Sequence, residues 1–440
     1  MPSLGRQGSG VRIDAAWLSY AAPLLLFAAL FLYGAMQAQT ALALNIAMAL
    51  LLMASLTNAS VRKDLLRLRG LAVPGVCFAA TIAVCFWSLT PYVPGGAHPI
   101  WAYAGQGAGA ATIDKSTTLL ETIKLAGLSV IFLVGAAAGG QDDRARLALR
   151  TLLIIGSLYA LWAFFSHVTG AGPNGRTPRL EASLANPNAS ATLFGMLAVL
   201  LAGAAVRASK LERKARPLAL ALVGGAALVV FACLLLTASR AGFAATLLGL
   251  AGFGLLQIFV GRAKPSRSML IFLAGATVVV VLVFSLGDYL LTRSSNTEAD
   301  WDVRLAIFAP HWEAFLASPL MGYGLGVFDT INKTLITEAN FRVLWDVRAV
   351  HNVYLEWLEQ AGLLGAIPMF LTIASLMFIT LKRAASRKRM TALLFAAIAS
   401  SLVVLGHGVT DFALEMYGLA AFWAFLLGLQ FSLAQGRSTR

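Results

Sequence analysis

Charge is scarce in this 440-residue chain: 12% of its residues are Asp, Glu, Lys or Arg, against roughly 25% in a soluble domain. That leaves too little polar side chain to cover a large water-exposed surface. Cysteine is nearly absent, and Cys77, Cys85 and Cys233 each fall inside an apolar run. This excludes a disulfide framework and a paired-cysteine zinc site, and reads as small buried hydrophobes. No HExxH, CxxC or paired-aspartate cluster occurs, so no catalytic metal or other cofactor is expected. No internal repeat is evident. What fills the chain is hydrophobic sequence, 59% of all residues, in runs of about the 20 residues a helix needs to cross a bilayer.

These runs place spans near residues 14–37, 40–57, 71–91, 117–138, 146–168, 190–207, 216–236, 241–260, 268–287, 352–381, 389–407 and 413–434. The reading is an all-α polytopic membrane protein, a single membrane domain over residues 1–440 with about 12 transmembrane helices. The first run is too long for a signal-peptide core and lacks an obvious cleavage site, so it is expected to be retained. Twelve spans put both termini on one side, and the Lys and Arg bias of short loops decides which. With the termini inside, the inner segments hold 24 of the 34 basic residues and five of the 20 acids. The net charge of +14 is then a record of membrane orientation, with lipid headgroups as sufficient anionic partners and no nucleic acid required.

The outer side carries the one long polar interruption, residues 288–351, between the ninth and tenth spans. Trp301, Leu305, Phe308, Trp312 and Phe315 recur there at helical spacing and predict an amphipathic helix on the membrane surface, which Pro310 should kink or restart. Gly322, Gly324 and Gly326 predict tight turns. Asp346 is a candidate cap for the helix that follows.

Against the inward bias of basic residues, arginine stays outside. Arg240 ends the turn TASR between two spans; it either snorkels to lipid phosphates or binds an anionic substrate. Arg304 lies on the amphipathic helix, as a solvated charge or a ligand-binding one. His351 stands at the mouth of the tenth span with Leu355, Leu358 and Gly362 at helical spacing, a face expected to point into the bundle. A neutral imidazole there is either a structural residue or a general base. Arg348 precedes it by one turn, and Asn352 follows as a group that could orient a sugar or the imidazole. Asp411, near His407, could orient His351, pair with an arginine or cap a helix. Glu121 and Lys124 are expected to neutralise each other.

The stretch AVHNVYLEWLEQAGLLG, preceded by SPLMGYGLGVF and the arginine-bearing helix at Arg304, together with TASR, resembles the signature region of the O-antigen ligase and polymerase superfamily. The likeness extends to the architecture of twelve spans with a long periplasmic loop. It implies a multi-pass protein of the bacterial inner membrane, with cytoplasmic termini and a periplasmic active site. In the ligases of that superfamily, polysaccharide passes from undecaprenyl pyrophosphate to the lipid A-core, without metal and with inversion. By that similarity Arg240, Arg304 and Arg348 would hold the donor pyrophosphate, His351 would deprotonate the acceptor hydroxyl, and both lipid-linked substrates would arrive from the membrane through a lateral cleft. An O-antigen polymerase and a protein O-oligosaccharyltransferase share the signature. From another class, a secondary transporter would place its ionisable groups at the bilayer midplane, whereas here they gather at the outer rim.

The topology is open to a direct check. A cysteine introduced at residue 340 should react with an impermeant maleimide added outside intact spheroplasts, and one at residue 210 should react only after permeabilisation. The reverse pattern would overturn the orientation.

Overall fold

The computed structural model describes residues 15–103, 105, 109–261 and 297–436. Helices follow in the order α1 (Ala16–Phe31), α2 (Ala38–Leu56), α3 (Ala59–Leu66), α4 (Ala72–Trp87), α5 (Ile100–Tyr103), α6 (Lys115–Gly139), α7 (Asp142–Thr169), α8 (Pro187–Ala208), α9 (Arg216–Leu236) and α10 (Arg240–Leu255). After them come α11 (Thr297–Ala317), α12 (Phe328–Leu335), α13 (Phe341–Leu344), α14 (Val353–Ala384), α15 (Thr391–His407) and α16 (Tyr417–Gln435). Among the described residues no strand occurs. Eight helices there are long and apolar enough to cross a membrane, namely α2, α6, α7, α8, α9, α10 together with the π-helical turn that continues it to Val260, α14 and α16, and α1, α4 and α15 are shorter apolar helices. Each coincides with an expected span. The chain is an all-α polytopic membrane protein; the span expected at 268–287 lies outside the described residues.

The core sits around α16, which is apolar on all faces and is buried on all of them, as such a helix must be. It approaches α6 so closely that glycine is required at the crossing. A Cβ on Gly135 would lie 2.1 Å from the Phe425 carbonyl oxygen, one on Gly139 2.3 Å from that of Leu429, and one on Gly428 1.9 Å from that of Phe132. Small residues four apart let two backbones touch where lipid supplies no hydrophobic drive between helices. Beside this pair, α8, α10 and α15 pack together, and α4 packs on α14. On the face away from the α14 N-terminus, arginines and acids interlock: the fully buried Arg144 meets Asp64 at 2.8 Å, and Arg387 pairs with Asp142.

The long segment before α14 departs from expectation at three points. The α11 helix runs through Pro310 without restarting. Its protein-facing residues are Ile307, His311, Ala314 and Phe315, while Leu305, Trp312 and Leu316 are exposed, so only part of the expected stripe faces outward; Trp301 lies outside the residues whose side chains are described. Asp346 does not cap α14. Asn352 does, its Oδ1 accepting from the amides of Tyr354 and Leu355 at 3.0 Å each, while Asp346 is exposed beside Arg348.

The α14 helix breaks at Gly362, where φ is 58° and ψ −175°, a region essentially reserved for glycine. The break strands backbone groups, and the glycine-rich loop takes them up. Tyr323 and Gly324 donate to the carbonyls of Glu359 and Gln360 at 3.1 and 2.8 Å, and Leu363 and Leu364 donate to those of Pro319 and Leu320 at 2.8 and 3.1 Å. The loop glycines Gly322, Gly324 and Gly326 all have positive φ, as expected. A Cβ at Gly362 would fall 2.3 Å from the Leu320 carbonyl oxygen. Gly362→Ala should therefore destabilise the protein by more than the ~1–3 kcal/mol of backbone strain alone. Hydrogen exchange at the Tyr323, Gly324, Leu363 and Leu364 amides should rise by orders of magnitude; unchanged protection there would disprove the pairing's importance.

Candidate active site

His351 lies just before the cap of α14, not on the helix, with φ 59°. The expected helical face shared with Leu355, Leu358 and Gly362 therefore does not exist: the left-handed turn at His351 and the break at Gly362 interrupt it at both ends. The turn is tied down by the Val353 amide, which donates to the Gly408 carbonyl at 2.9 Å. The imidazole packs edge-on against Phe412 at 4.8 Å between centroids, and its Nδ1 stands 3.9 Å from Asp411 Oδ1. Asp411 is 1% exposed, while the His351 side chain is 30% exposed. A buried carboxylate thus faces a histidine that opens outward, the arrangement in which a carboxylate sets the tautomer of a base. Asn352 spends its side-chain oxygen on the cap.

Arg240 is the first residue of α10, exposed, and follows Ser239, whose Oγ caps the Gly242 amide at 3.2 Å. Gly242 packs on the ring of His407, since a Cβ there would sit 3.2 Å from Cε1. His407 is buried, engaged by Thr192 Oγ1 at 2.7 Å, and within electrostatic range of both Asp411 and Arg304. Arg304 is half-buried on the face of α11 that also carries Ile307 and His311. The structure therefore gathers His351, Asp411, His407, Arg304 and the head of α10 with Arg240. Arg348 goes elsewhere: it is exposed, 3.8 Å from Asp346, and borders a separate cavity.

That cavity, about 590 Å³, is lined by α4, α6, α14 and α16. Most of its wall is apolar, including Phe78, Leu128, Phe132, Leu376 and Leu427; its other end carries Glu121, Lys124, Asp329, Glu356, Gln360 and Glu415, next to Arg348 and Val353. Glu121 and Lys124 form the expected ion pair at 2.7 Å. Behind this polar end, His311 and Glu359 pair at 2.7 Å, both fully buried, and Gln360 accepts from the Gly326 amide at 2.6 Å. Sequence reasoning missed Glu356, Glu359, His311 and Glu415, and also Asn188, although the run Asn186–Pro187–Asn188 holds one asparagine more than the α8 cap needs. Among the described residues no group of three or more His, Cys, Asp or Glu is arranged to hold a metal ion.

In this all-helical membrane protein, histidine, carboxylate and arginine thus come together next to an amphiphilic cavity. Residues 225–370, about a third of the chain, match a family model described as O-antigen ligase; comparison with curated proteins gave no match. The matched segment contains Arg240, Arg304, Arg348, His351 and Asn352. The resemblance read from the sequence is borne out over this segment, which is similar to the O-antigen ligase family.

Glu415 is exposed into the cavity it lines, yet desolvation by the protein packed around that cavity, then the neighbouring Glu356 carboxylate, pushes its carboxyl well above its ordinary value of 4.5. A carboxyl with a raised folded value favours the folded state fully below its ordinary value, and that contribution is lost as pH rises toward the raised one. Thermal unfolding of the purified protein should therefore fall to lower temperature from the ordinary carboxylate range toward neutral pH. Glu415→Gln, neutral throughout, should flatten the decline; parallel curves would refute the raised Glu415 carboxyl.

Proposed function

We propose that this chain is a ligase, transferring O-antigen polysaccharide from undecaprenyl pyrophosphate to the lipid A-core at the periplasmic face of the bacterial inner membrane. The observation that carries the reading is His351, turned out of its helix and facing the buried Asp411 at 3.9 Å. In this reading His351 Nε2 takes the proton from the acceptor hydroxyl while Asp411 holds Nδ1–H and stabilises the imidazolium. The hydroxyl oxygen attacks the anomeric carbon from the side opposite the pyrophosphate, whose oxygen leaves with the bonding electrons, so configuration inverts. Arg240 and Arg304 hold that pyrophosphate by charge-assisted hydrogen bonds and stabilise the charge it gains. The apolar wall of the 590 Å³ cavity suits a hydrocarbon chain, with Arg348 at its rim to meet the head group. The arginines supply the positive charge of the transfer, which as we read it needs no divalent metal.

Because His351 has φ 59°, a conformation asparagine tolerates well, His351→Asn is a cleaner test than His351→Ala. Both should lower transfer by about 10²- to 10⁴-fold while donor binding and thermal stability persist. Arg240→Ala and Arg304→Ala should weaken donor binding too, and Arg240→Lys should recover only part of it, lacking the bidentate fork. In cells, His351→Asn should leave full-length polysaccharide on undecaprenyl pyrophosphate and lipid A-core uncapped. Lipid A-core capped with a single repeat unit would instead mark a polymerase, and near-normal capping would remove His351 as the base.

A further inference from the structure

Behind Asp411 the fold lays out a directed line of hydrogen bonds. Arg179 donates from Nε to the Thr237 carbonyl at 2.8 Å and from Nη2 to Asn188 Oδ1 at 3.1 Å. Asn188 Nδ2 donates to Asp411 Oδ1 at 3.2 Å, the same oxygen that stands 3.9 Å from His351 Nδ1. The orientation of the amide is dictated. A guanidinium can only donate, so it takes the amide oxygen, and the amide NH₂ is left for the carboxylate. Asn188 is the second residue of α8, held in place by the Asn186 cap, whose Oδ1 accepts the Asn188 amide at 2.8 Å.

We propose that Asn188 is a positioning residue for the reaction: fixed by Arg179, it holds the Asp411 carboxylate in the rotamer that faces His351 Nδ1. This rests on the reading of His351 as the base. The amide orders Asp411 without neutralising it, so the carboxylate keeps its full charge for the imidazolium that forms; an arginine in direct contact would drain that field. The remaining gap of 3.9 Å exceeds a hydrogen bond by about 1 Å, a distance side-chain rotation closes when substrate binds. Among the described residues, His407 from α15 and Glu415 act electrostatically with Asp411, Arg304 from α11 acts on His407, and Arg240 stands at the head of α10 beside them. Arg348 and Asp346 lie on the histidine's own segment, engaged with each other.

The test uses the purified full chain in nanodiscs, with undecaprenyl pyrophosphate-linked O-antigen as donor and lipid A-core as acceptor. Asn188→Ala should lower kcat by about 10- to 100-fold, as loss of an orienting partner does, with both KM values within about two-fold of wild type. Combined with Asp411→Asn it should cost nothing beyond Asp411→Asn alone, because both act through one carboxylate. Asn188→Asp, nearly isosteric, sets two carboxylates against each other. Its activity should recover as pH is lowered and one of them takes up a proton to donate, a response a purely structural asparagine would not give. Should Asn188→Ala fail to fold, Asn188→Asp carries the test. Full kcat in Asn188→Ala, additive losses in the double variant, or an Asn188→Asp profile parallel to wild type would overturn the positioning role while an inactive His351→Asn keeps the base. An active His351→Asn would overturn the base itself.

Discussion

The organisation of this protein depends on a helix that stops being one. Where α14 breaks at Gly362, two carbonyls and two amides lose their intrahelical partners. Inside a membrane protein each would cost several kcal/mol if left unsatisfied. The Pro319–Gly324 stretch answers all four with backbone bonds of 2.8 to 3.1 Å. A loop bound this way is no longer a loop in the mobile sense; it is an extension of the helix. Its attachment brings Gln360 to the Gly326 amide, and Glu359, one residue earlier on α14, reaches His311 on α11. Thus the break sets α11, and α11 carries Arg304. A backbone accommodation at one glycine helps fix the position of a charge about two helical turns from His311 on another element.

Two polar regions flank the start of α14 and are kept chemically apart. On one side lie His351, Asp411, His407 and Arg304, a group of mixed charge that opens outward. On the other, Glu356 and Glu415 face each other at the end of an apolar cavity, and Glu356 Oε2 is buried with no hydrogen-bond partner. Two such carboxyls cannot both ionise at close range. The cavity side is therefore dominated by carboxyls and amides with the Glu121–Lys124 pair and Arg348 at its edge, whereas Arg304 stands on the other side. The N-terminal turn of α14 separates the two chemistries while Arg348 and Val353, at the cavity rim, stand within a few residues of His351.

The spans were legible because a bilayer imposes length and composition on every helix that crosses it: expected runs such as 216–236 match helices such as Arg216–Leu236. The convergence of Arg304 and His351 was legible only through the resemblance, since no spacing rule links residues on different elements. What the sequence hid has physical causes. His351 looked helical because Leu355 and Leu358 follow at the right intervals, yet periodicity cannot register one left-handed residue. Asp346 looked like a cap, but Asn352 stands directly before the first helical turn and has the right acceptor. Pro310 was expected to kink or restart its helix, and with Ile307, His311 and Phe315 packed on the protein side the helix continues past it without restarting. Asn188 was invisible because its role belongs to Arg179 and Asp411, which are distant in sequence.

The backbone at His351 shows why these features belong together. A non-glycine residue in the left-handed region stores strain of order 1–3 kcal/mol and persists only when its surroundings over-determine it. Here they do: Asn352 caps the helix immediately behind it, Val353 is bonded to Gly408, and Phe412 packs against the ring. A helical backbone at this position would carry the imidazole along the α14 surface. The left-handed turn instead directs it across to the loop between α15 and α16, where Asp411 waits with Asn188 and Arg179 behind it. The strain is therefore the counterpart of an imidazole turned toward Asp411, and the tie between Val353 and Gly408 joins the histidine's segment to the carboxylate's.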